Sequence, residues 1–376
     1  MLRASGFMNW LRTLFIFIIC LAAAGSNAAT RPETIRVALF KGVETLRIDG
    51  TGVLFTDASG LPLRLGMPLE LKRTRDGISL NGRIVSGLIA SAPVRVSVNG
   101  KGYRGLLEVT ASERGLLVVN ELPREEYLIG LINCEISSAW PMEAVKAQAV
   151  IARSYAIYQK QARRGAPYQL ESSVMDQVYE GCDVEDSRAA RGVQETAGEV
   201  LSFEGKVIQA FYHSNCAGHT ESAERVWGQS VAYLRGVPCQ YCQQANPLKW
   251  EQTIPLKKVE ASLRAAGYQV AGLRELKVQG RNDSGRVQDV AVFSAKGRVL
   301  VPGVAFRKAL GYGVVKSTNF ELRASGEDCI VTGTGSGHGV GLCQWGAKQR
   351  AGDGFSYREI LSYYYPGVTL TKGYGR

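Results

Sequence analysis

Hydrophobic and polar residues alternate in the strand manner over the first third of the chain. Residues 34–40 (TIRVALF) and 43–48 carry apolar side chains at every second position, and shorter runs recur at 53–55, 69–72, 84–89 and 94–98. Asp49-Gly50, Asp76-Gly77, Asn81-Gly82 and Asn99-Gly100 punctuate these runs as turns. Residues 105–120 read as one more hairpin. The period then changes. Pro123, followed by Glu125 and Glu126, marks a helix start, and Leu128, Leu131, Ile132 and Cys134 form a short apolar face. Ser137, Ser138 and the pair Trp140-Pro141 end that helix. From Met142 a second helix carries Ala144, Val145, Ala147, Ala149, Val150 and Ala152, so rich in alanine that a neighbour must pack close against it.

Further along, the pattern predicts a helix at 187–196, strands at 200–203 and 207–212, and a strand and helix at 254–255 and 256–266. Strands follow at 273–280, 287–294 and 298–302, with a turn at 282–285. Short helices are expected at 304–310, 345–351 and 357–361. The fold class expected is α+β. A β-rich N-terminal region (30–121) leads into a mixed α/β catalytic core (122–245) containing a zinc-knuckle-like segment. An α/β insert (246–325) follows, and a closing segment (326–376) completes the core.

Residues 1–29 read as a secretory signal peptide: Arg3 and Arg12, an apolar run at 14–24, and Ser26-Asn27-Ala28 for cleavage. The run is short for a membrane span, and Ile18-Ile19 before Cys20 does not suit lipoprotein processing. The mature protein is therefore expected to be exported to the periplasm or cell envelope, and held at the membrane only if the signal segment is retained. Formal net charge is +11, and loss of Arg3 and Arg12 leaves +9. For an exported chain this points to anionic wall polymers or membrane surfaces and away from nucleic acid.

Three groups of residues carry candidate chemistry. Glu135 is the sole acidic side chain between Tyr127 and Pro141, flanked by Ile132, Ile136 and Trp140. It reads either as a helix-terminal glutamate satisfying backbone or as a general acid whose pKa is raised by apolar neighbours. Cys216-x-x-His219 and Cys239-x-x-Cys242 are two chelating pairs, and three thiolates with one imidazole suit a structural zinc ion. A Cys239–Cys242 disulfide is the competing reading. Cys134 with Cys182, and Cys329 with Cys343, are further disulfide candidates whose connectivity the sequence does not assign. In residues 333–347 (GTGSGHGVGLCQWGA) the five glycines from Gly333 to Gly341 are set around His338, so the backbone there takes unusual angles and approaches something closely. The lysine-threonine ending of a phosphate loop is absent.

These segments resemble a known family. Glu135-Ile136-Ser137-Ser138-Ala139-Trp140-Pro141 and the alanine-rich helix through Ala156 are similar to the signature of stage II sporulation protein D and the related amidase enhancer LytB. Gln177-Val178-Tyr179-Glu180-Gly181, Phe211-Tyr212-His213-Ser214, Lys316-Ser317-Thr318-Asn319-Phe320 and Gly337-His338-Gly339-Val340-Gly341-Leu342-Cys343-Gln344 match as well. Departures are Ser137 where proline is usual, Cys343 where serine is common and Trp345 where tyrosine is common. The resemblance implies a lytic transglycosylase acting on peptide-stripped peptidoglycan glycan strands, with Glu135 as its acid. It implies that Lys146, Gln148, Arg153, Tyr155, Gln177, Tyr179, His213, Ser214, His338 and Gln344 are candidates to hold substrate or tune that acid. Arg153 reads equally well as a structural ion-pair partner; His213 is a spare possible metal ligand, but its place in the Phe-x-His-Ser match favours the cleft. A glycan-binding enhancer of a cell-wall amidase is the alternative that the resemblance also carries. A zinc hydrolase is disfavoured, because three thiolates and one imidazole leave no open metal position.

Overall fold

The computed structural model describes residues 33–245 and 248–373. The expected signal segment lies outside the described residues. Within them no helix is long and apolar enough to cross a membrane.

The N-terminal alternation folds as expected into antiparallel β structure. One seven-stranded sheet runs in the order Leu170–Glu171, Thr34–Val43, Gly115–Pro123, Leu106–Ser112, Gly87–Ser91, Leu54–Asp57, Pro62–Leu63. A six-stranded sheet is built on Thr45–Asp49 and Leu69–Thr74. Ile35, Val37, Ile48, Leu69, Leu71, Val98, Val109 and Val118 from the two sheets share one core, while Glu70 and Lys72 between them face water.

Strand Gly115–Pro123 runs straight into helix α1, Arg124–Glu135. Pro123 sets its entry, and Glu125 and Glu126 stand in the first turn, where the helix dipole favours them. Ile136 is extended (φ −142°), so the helix stops at Glu135. The next turn is held by side chains. Asn133 accepts from the Ser138 amide at 2.9 Å and donates to Asp186 at 2.9 Å, and the Ser138 hydroxyl donates to Asp186 at 2.6 Å. These bonds shape the loop at Ser137, where the resemblance leads one to expect proline. Helix α2 follows at Met142–Ala162 and α3 at Ser187–Glu195, capped by the Asp186 side chain. The close packing expected of α2 is present: a Cβ added to Gly192 of α3 would stand 2.6 Å from Val145 Cγ1.

After α4 (Ala223–Trp227) comes the insert. Helices α5 (Leu256–Ala265) and α6 (Gly303–Leu310) pack with two three-stranded sheets around Val259, Leu263, Val290, Val292, Phe306 and Phe320. Cys329 and Val331 belong to this core too, beyond the boundary at 325 expected from sequence. The chain returns through the strand Leu342–Cys343 to α7 (Gln344–Gly352) and α8 (Tyr357–Tyr364), which pack on α2. The decisive long-range pairing is short: Tyr212–His213 lies parallel to Leu342–Cys343. It is possible because Gly341, at φ +72°, has no Cβ. A side chain there would meet the Phe211 carbonyl at 2.0 Å.

Candidate functional site

The end of α1 presents Glu135, partly exposed. Its Oε1 accepts the Val178 amide at 2.9 Å, and the Tyr212 hydroxyl and Gln344 amide also bond to the carboxyl. A polar chain with a fixed direction stands behind them. Tyr127 Oη donates to Gln177 Oε1 at 3.1 Å, and Gln177 Nε2 donates to Tyr212 Oη at 3.2 Å, which leaves the Tyr212 proton for Glu135. Gln344 Nε2 also reaches Gln148 Oε1 at 3.3 Å, and Gln148 Nε2 is buried without a partner.

Burial raises the Glu135 pKa above the usual carboxylate range, and the three donors act against that rise. Its place at the C-terminal end of α1 works in the same sense as burial, since the dipole there disfavours negative charge. Among the described residues no carboxylate pairs with it. The nearby Asp176 is engaged by Arg163 at 2.7 Å and by the Tyr155 hydroxyl at 2.9 Å. The outcome is a glutamate held by neutral donors and inclined to keep its proton.

The two histidines of the cleft motifs stand together, ring centroids 5.6 Å apart. His213 Nδ1 lies 3.1 Å from the Val340 carbonyl, which can only accept, so Nδ1 carries the proton and Nε2 is buried without a partner. Burial pushes its pKa well down. His338 accepts the Val340 amide on Nδ1 at 3.0 Å and bonds the Tyr212 backbone with the other nitrogen. Burial, with Arg307 adding to it, pushes the His338 pKa down to about 3. Both ring nitrogens of His338 thus clamp backbone, and it fastens the glycine-rich loop to the strand that carries Tyr212. Phe211 and Trp227 flank it with centroids 5.9 and 5.2 Å away, and Trp227 is 45% exposed.

Of the expected substrate or acid-tuning residues, the structure gathers Gln177, Gln344 and Gln148 around Glu135 and places Tyr155 one shell out. Others are engaged elsewhere. Arg153 is fully buried, donating to Glu125 at 2.7 and 2.9 Å and to the Glu199 carbonyl at 3.0 Å, which is the ion-pair reading of that residue. Lys146 pairs with Glu143 and Glu195 at 2.9 and 2.7 Å. Tyr179 is interior, bonded to Asn120 at 3.2 Å and packed on Tyr127, with no face left for a sugar. The Ser214 carbonyl accepts the Trp345 amide at 3.1 Å. Sequence reasoning did not single out Tyr212. The signal was present in Phe211-Tyr212-His213, because a strand turns alternate side chains to opposite faces and so separates Tyr212 from the histidine side.

The metal-ligand expectation needs one correction. The Sγ atoms of Cys216, Cys239, Cys242 and Cys343 lie within 4.8 Å of one another, all buried. His219 is outside the group, its Nδ1 turned to the Thr220 carbonyl at 2.6 Å. Cys343 arrives from the paired strand and takes the fourth place. The candidate pair Cys329 and Cys343 is not joined: Cys329 sits in the core of the insert and both are free thiols. Cys134 and Cys182 are free thiols, as is each described cysteine. Four thiols at this spacing fit a tetrahedral ion, whose sulfurs stand about 3.8 Å apart at metal–sulfur bonds near 2.3 Å. Two further features favour negative sulfur here. The Cys216 and Gly346 amides point at Cys343 Sγ at 3.3 and 3.4 Å. Arg286 is buried beside the cluster with Nε and Nη1 unpartnered.

The chain is similar to known proteins over most of its length. A family model described as Stage II sporulation protein matches residues 112–203, which hold α1, α2 and Glu135, and a domain of unknown function matches residues 239–341. An uncharacterized protein of Brachyspira hyodysenteriae is 35% identical over 303 residues, covering 79% of this chain and 80% of the other. The amidase enhancer of Bacillus subtilis is 30% identical over 326 residues, which is 74% of this chain but 45% of that longer protein. Stage II sporulation protein D of Bacillus amyloliquefaciens is 29% identical over 269 residues, 68% of this chain and 76% of its own. With the glutamate at the end of α1, the alanine-rich α2 and the glycine-histidine loop all in place, the chain belongs to the family of stage II sporulation protein D and the amidase enhancer.

Proposed function

We propose that this protein acts at the cell envelope as a lytic transglycosylase on peptidoglycan glycan strands, with Glu135 as its only acid. The observation that carries this reading is Glu135 itself: a partly exposed glutamate with a raised pKa, three neutral donors and no carboxylate partner among the described residues. Hydrolytic glycosidases use two carboxyl groups. A mechanism that needs one suits this site. Protonated Glu135 gives its proton to the glycosidic oxygen between N-acetylmuramic acid and N-acetylglucosamine as the C1–O bond breaks. The muramic C6 hydroxyl then bonds to C1, and its proton returns to the Glu135 carboxylate. The product is a 1,6-anhydro ring, and no water is consumed. Tyr212 and Gln344 hold the carboxyl in place and stabilise it once ionised. Exposed Trp227 beside Phe211 offers an aromatic face for a sugar ring.

Cys216, Cys239, Cys242 and Cys343 would hold zinc. With four thiolates the ion has no open position for water, and its part is to fix the segments that carry Tyr212 and Gln344. No step of the cleavage uses it.

A second reading has its own support: the similarity to an amidase enhancer, and a carboxyl whose oxygens are already occupied by three donors. On it, the protein binds glycan around Glu135 and stimulates a cell-wall amidase without cutting. Mass spectrometry of peptide-free glycan strands incubated with the wild type and Glu135→Gln separates the two. Anhydro-muramic products from the wild type alone support the transglycosylase. Reducing-end products refute the water-free route. Bound but uncut glycan with both proteins favours the enhancer.

A further inference from the structure

Arg286 immediately precedes the strand Val287–Ser294 of the insert, yet its side chain leaves the insert and is 1% exposed. Its Nη2 donates to the Cys216 carbonyl at 2.9 Å. The guanidinium lies flat against Gly339 of the glycine-rich loop, where an added Cβ would stand 2.7 Å from Nη2 and 2.8 Å from Cζ. Nε and Nη1 are sealed from solvent and have no hydrogen-bond partner.

No carboxylate answers this charge, since among the described residues no ion pair reaches Arg286 within 4.0 Å. Glu221 acts on Arg286 through its charge but makes no direct bond to it, its oxygens being taken by neutral donors. Its Oε1 accepts the Ser222 amide at 2.8 Å, and its Oε2 accepts Asn282 at 2.5 Å and Ser284 at 2.8 Å. Cys216, Cys343 and Cys242 also act on Arg286 through charge, and Arg307 faces it as a like charge. If those thiols were all neutral, this buried cation would have only Glu221, beyond ion-pair distance, to offset its charge. Four thiolates around a divalent ion carry a net charge of about −2, and Arg286 then has its counter-charge.

We propose that Arg286 is the counter-cation of the four-cysteine metal centre, so that metal loading and docking of the insert onto the core are one coupled event. This rests on the metal reading given above and is independent of whether glycan is cut. Arg286 touches no sulfur as a ligand; it acts on the ion through the charge of the cluster and through the Cys216 carbonyl. The Asn282 side chain accepts the Arg286 amide at 3.0 Å, so the turn that bears Glu221's donors moves with it.

The distinguishing readout is a reversal of sign. Zinc affinity, measured by competition with a chromophoric chelator, should fall on the order of 10–100-fold in Arg286→Met, the range expected for removal of an outer-shell partner. Arg286→Lys, which keeps the charge, should lose less. In denaturant unfolding, Arg286→Met should be less stable than the wild type with zinc bound, but at least as stable with zinc removed. Equal zinc affinity in Arg286→Met, or the same stability loss with and without zinc, overturns the proposal. Should Arg286→Met not fold, hydrogen exchange on the wild type decides: chelation should speed exchange at residues 282–287, and unchanged protection there refutes the coupling. A wild type that binds no zinc removes the metal reading itself.

Discussion

Removing one oxygen, in Tyr212→Phe, tests how the protonation of Glu135 is set. Tyr212 Oη accepts from Gln177 Nε2 at 3.2 Å and donates to Glu135. Without the hydroxyl, Gln177 Nε2 keeps a 3.5 Å approach to the Ala152 carbonyl and no better partner, while Glu135 keeps Val178 and Gln344. A buried hydrogen bond between neutral groups contributes about 0.5–1.5 kcal/mol, and one to a charged group about 1.5–3 kcal/mol. The variant should therefore lose about 1 kcal/mol at low pH, where Glu135 is protonated, and about 2–3 kcal/mol where it is ionised. The sign follows from linkage. Glu135 is raised in the folded state, so between its unfolded and folded pKa values the native protein holds more protons, and stability falls as pH rises through that window. Tyr212 donates to the ionised form, so its loss raises the folded pKa further and extends the window upward. Urea unfolding at a series of pH values, with carbon-13 titration of the Glu135 carboxyl, measures both effects. A stability loss independent of pH, or a Glu135 that titrates lower in the variant, would refute the assigned direction of the Tyr212 proton.

Three other outcomes follow from the same contacts. Arg153→Met should cost about 1–3 kcal/mol of stability, because the buried Glu199 carbonyl loses its donor while the partly exposed Glu125 is left to water, and denaturation should report it with glycan affinity of the folded fraction unchanged. His338, at about 3 in the folded state against about 6.5 unfolded, binds fewer protons native than unfolded. Stability should then decline as pH falls from about 6.5 towards 3, opposite in sense to Glu135, and His338→Gln should flatten that decline in acid-unfolding curves. Gly341→Ala should lose more than about 1–2 kcal/mol, the handedness penalty alone, because its Cβ also meets the Phe211 carbonyl. Thermal unfolding would check this, and a near-neutral substitution would contradict the close pairing of Tyr212–His213 with Leu342–Cys343.

Where the chemistry is local, the sequence was legible. Pro123 with Glu125 and Glu126 announces α1, and alanine spacing announces α2 and its close neighbour. Glu135 stood out because nothing else acidic lies near it in the chain. Elsewhere a local pattern had no access to the deciding partner. The apolar run 84–89 reads as one strand, yet Ser86 divides it: Arg83–Val85 joins the six-stranded sheet and Gly87–Ser91 the seven-stranded one. Burial on both sides of the break looks the same in sequence. The run at 207–212 is also interrupted: the strand ends at Val207, and Ile208 and Ala210 reach the core outside it. His219 fitted the spacing of a chelating pair, but the fourth sulfur comes from Cys343, 127 residues beyond Cys216. Arg153 looked as suited to substrate as to structure until Glu125, 28 residues upstream, was seen to hold it.

The parallel pairing near the C-terminal end has a consequence in time. Gln344 meets Gln148 across 196 residues, and Val340 meets His213 across 127. A chain emerging N-terminus first presents Glu135 long before the groups that orient it exist, and contacts of such long range form late. Until the last strand and α7 arrive, the glutamate has neither Gln344 nor the clamp on Tyr212. The nascent protein therefore carries its acid in a latent form, and the same segment that closes the fold also arms it.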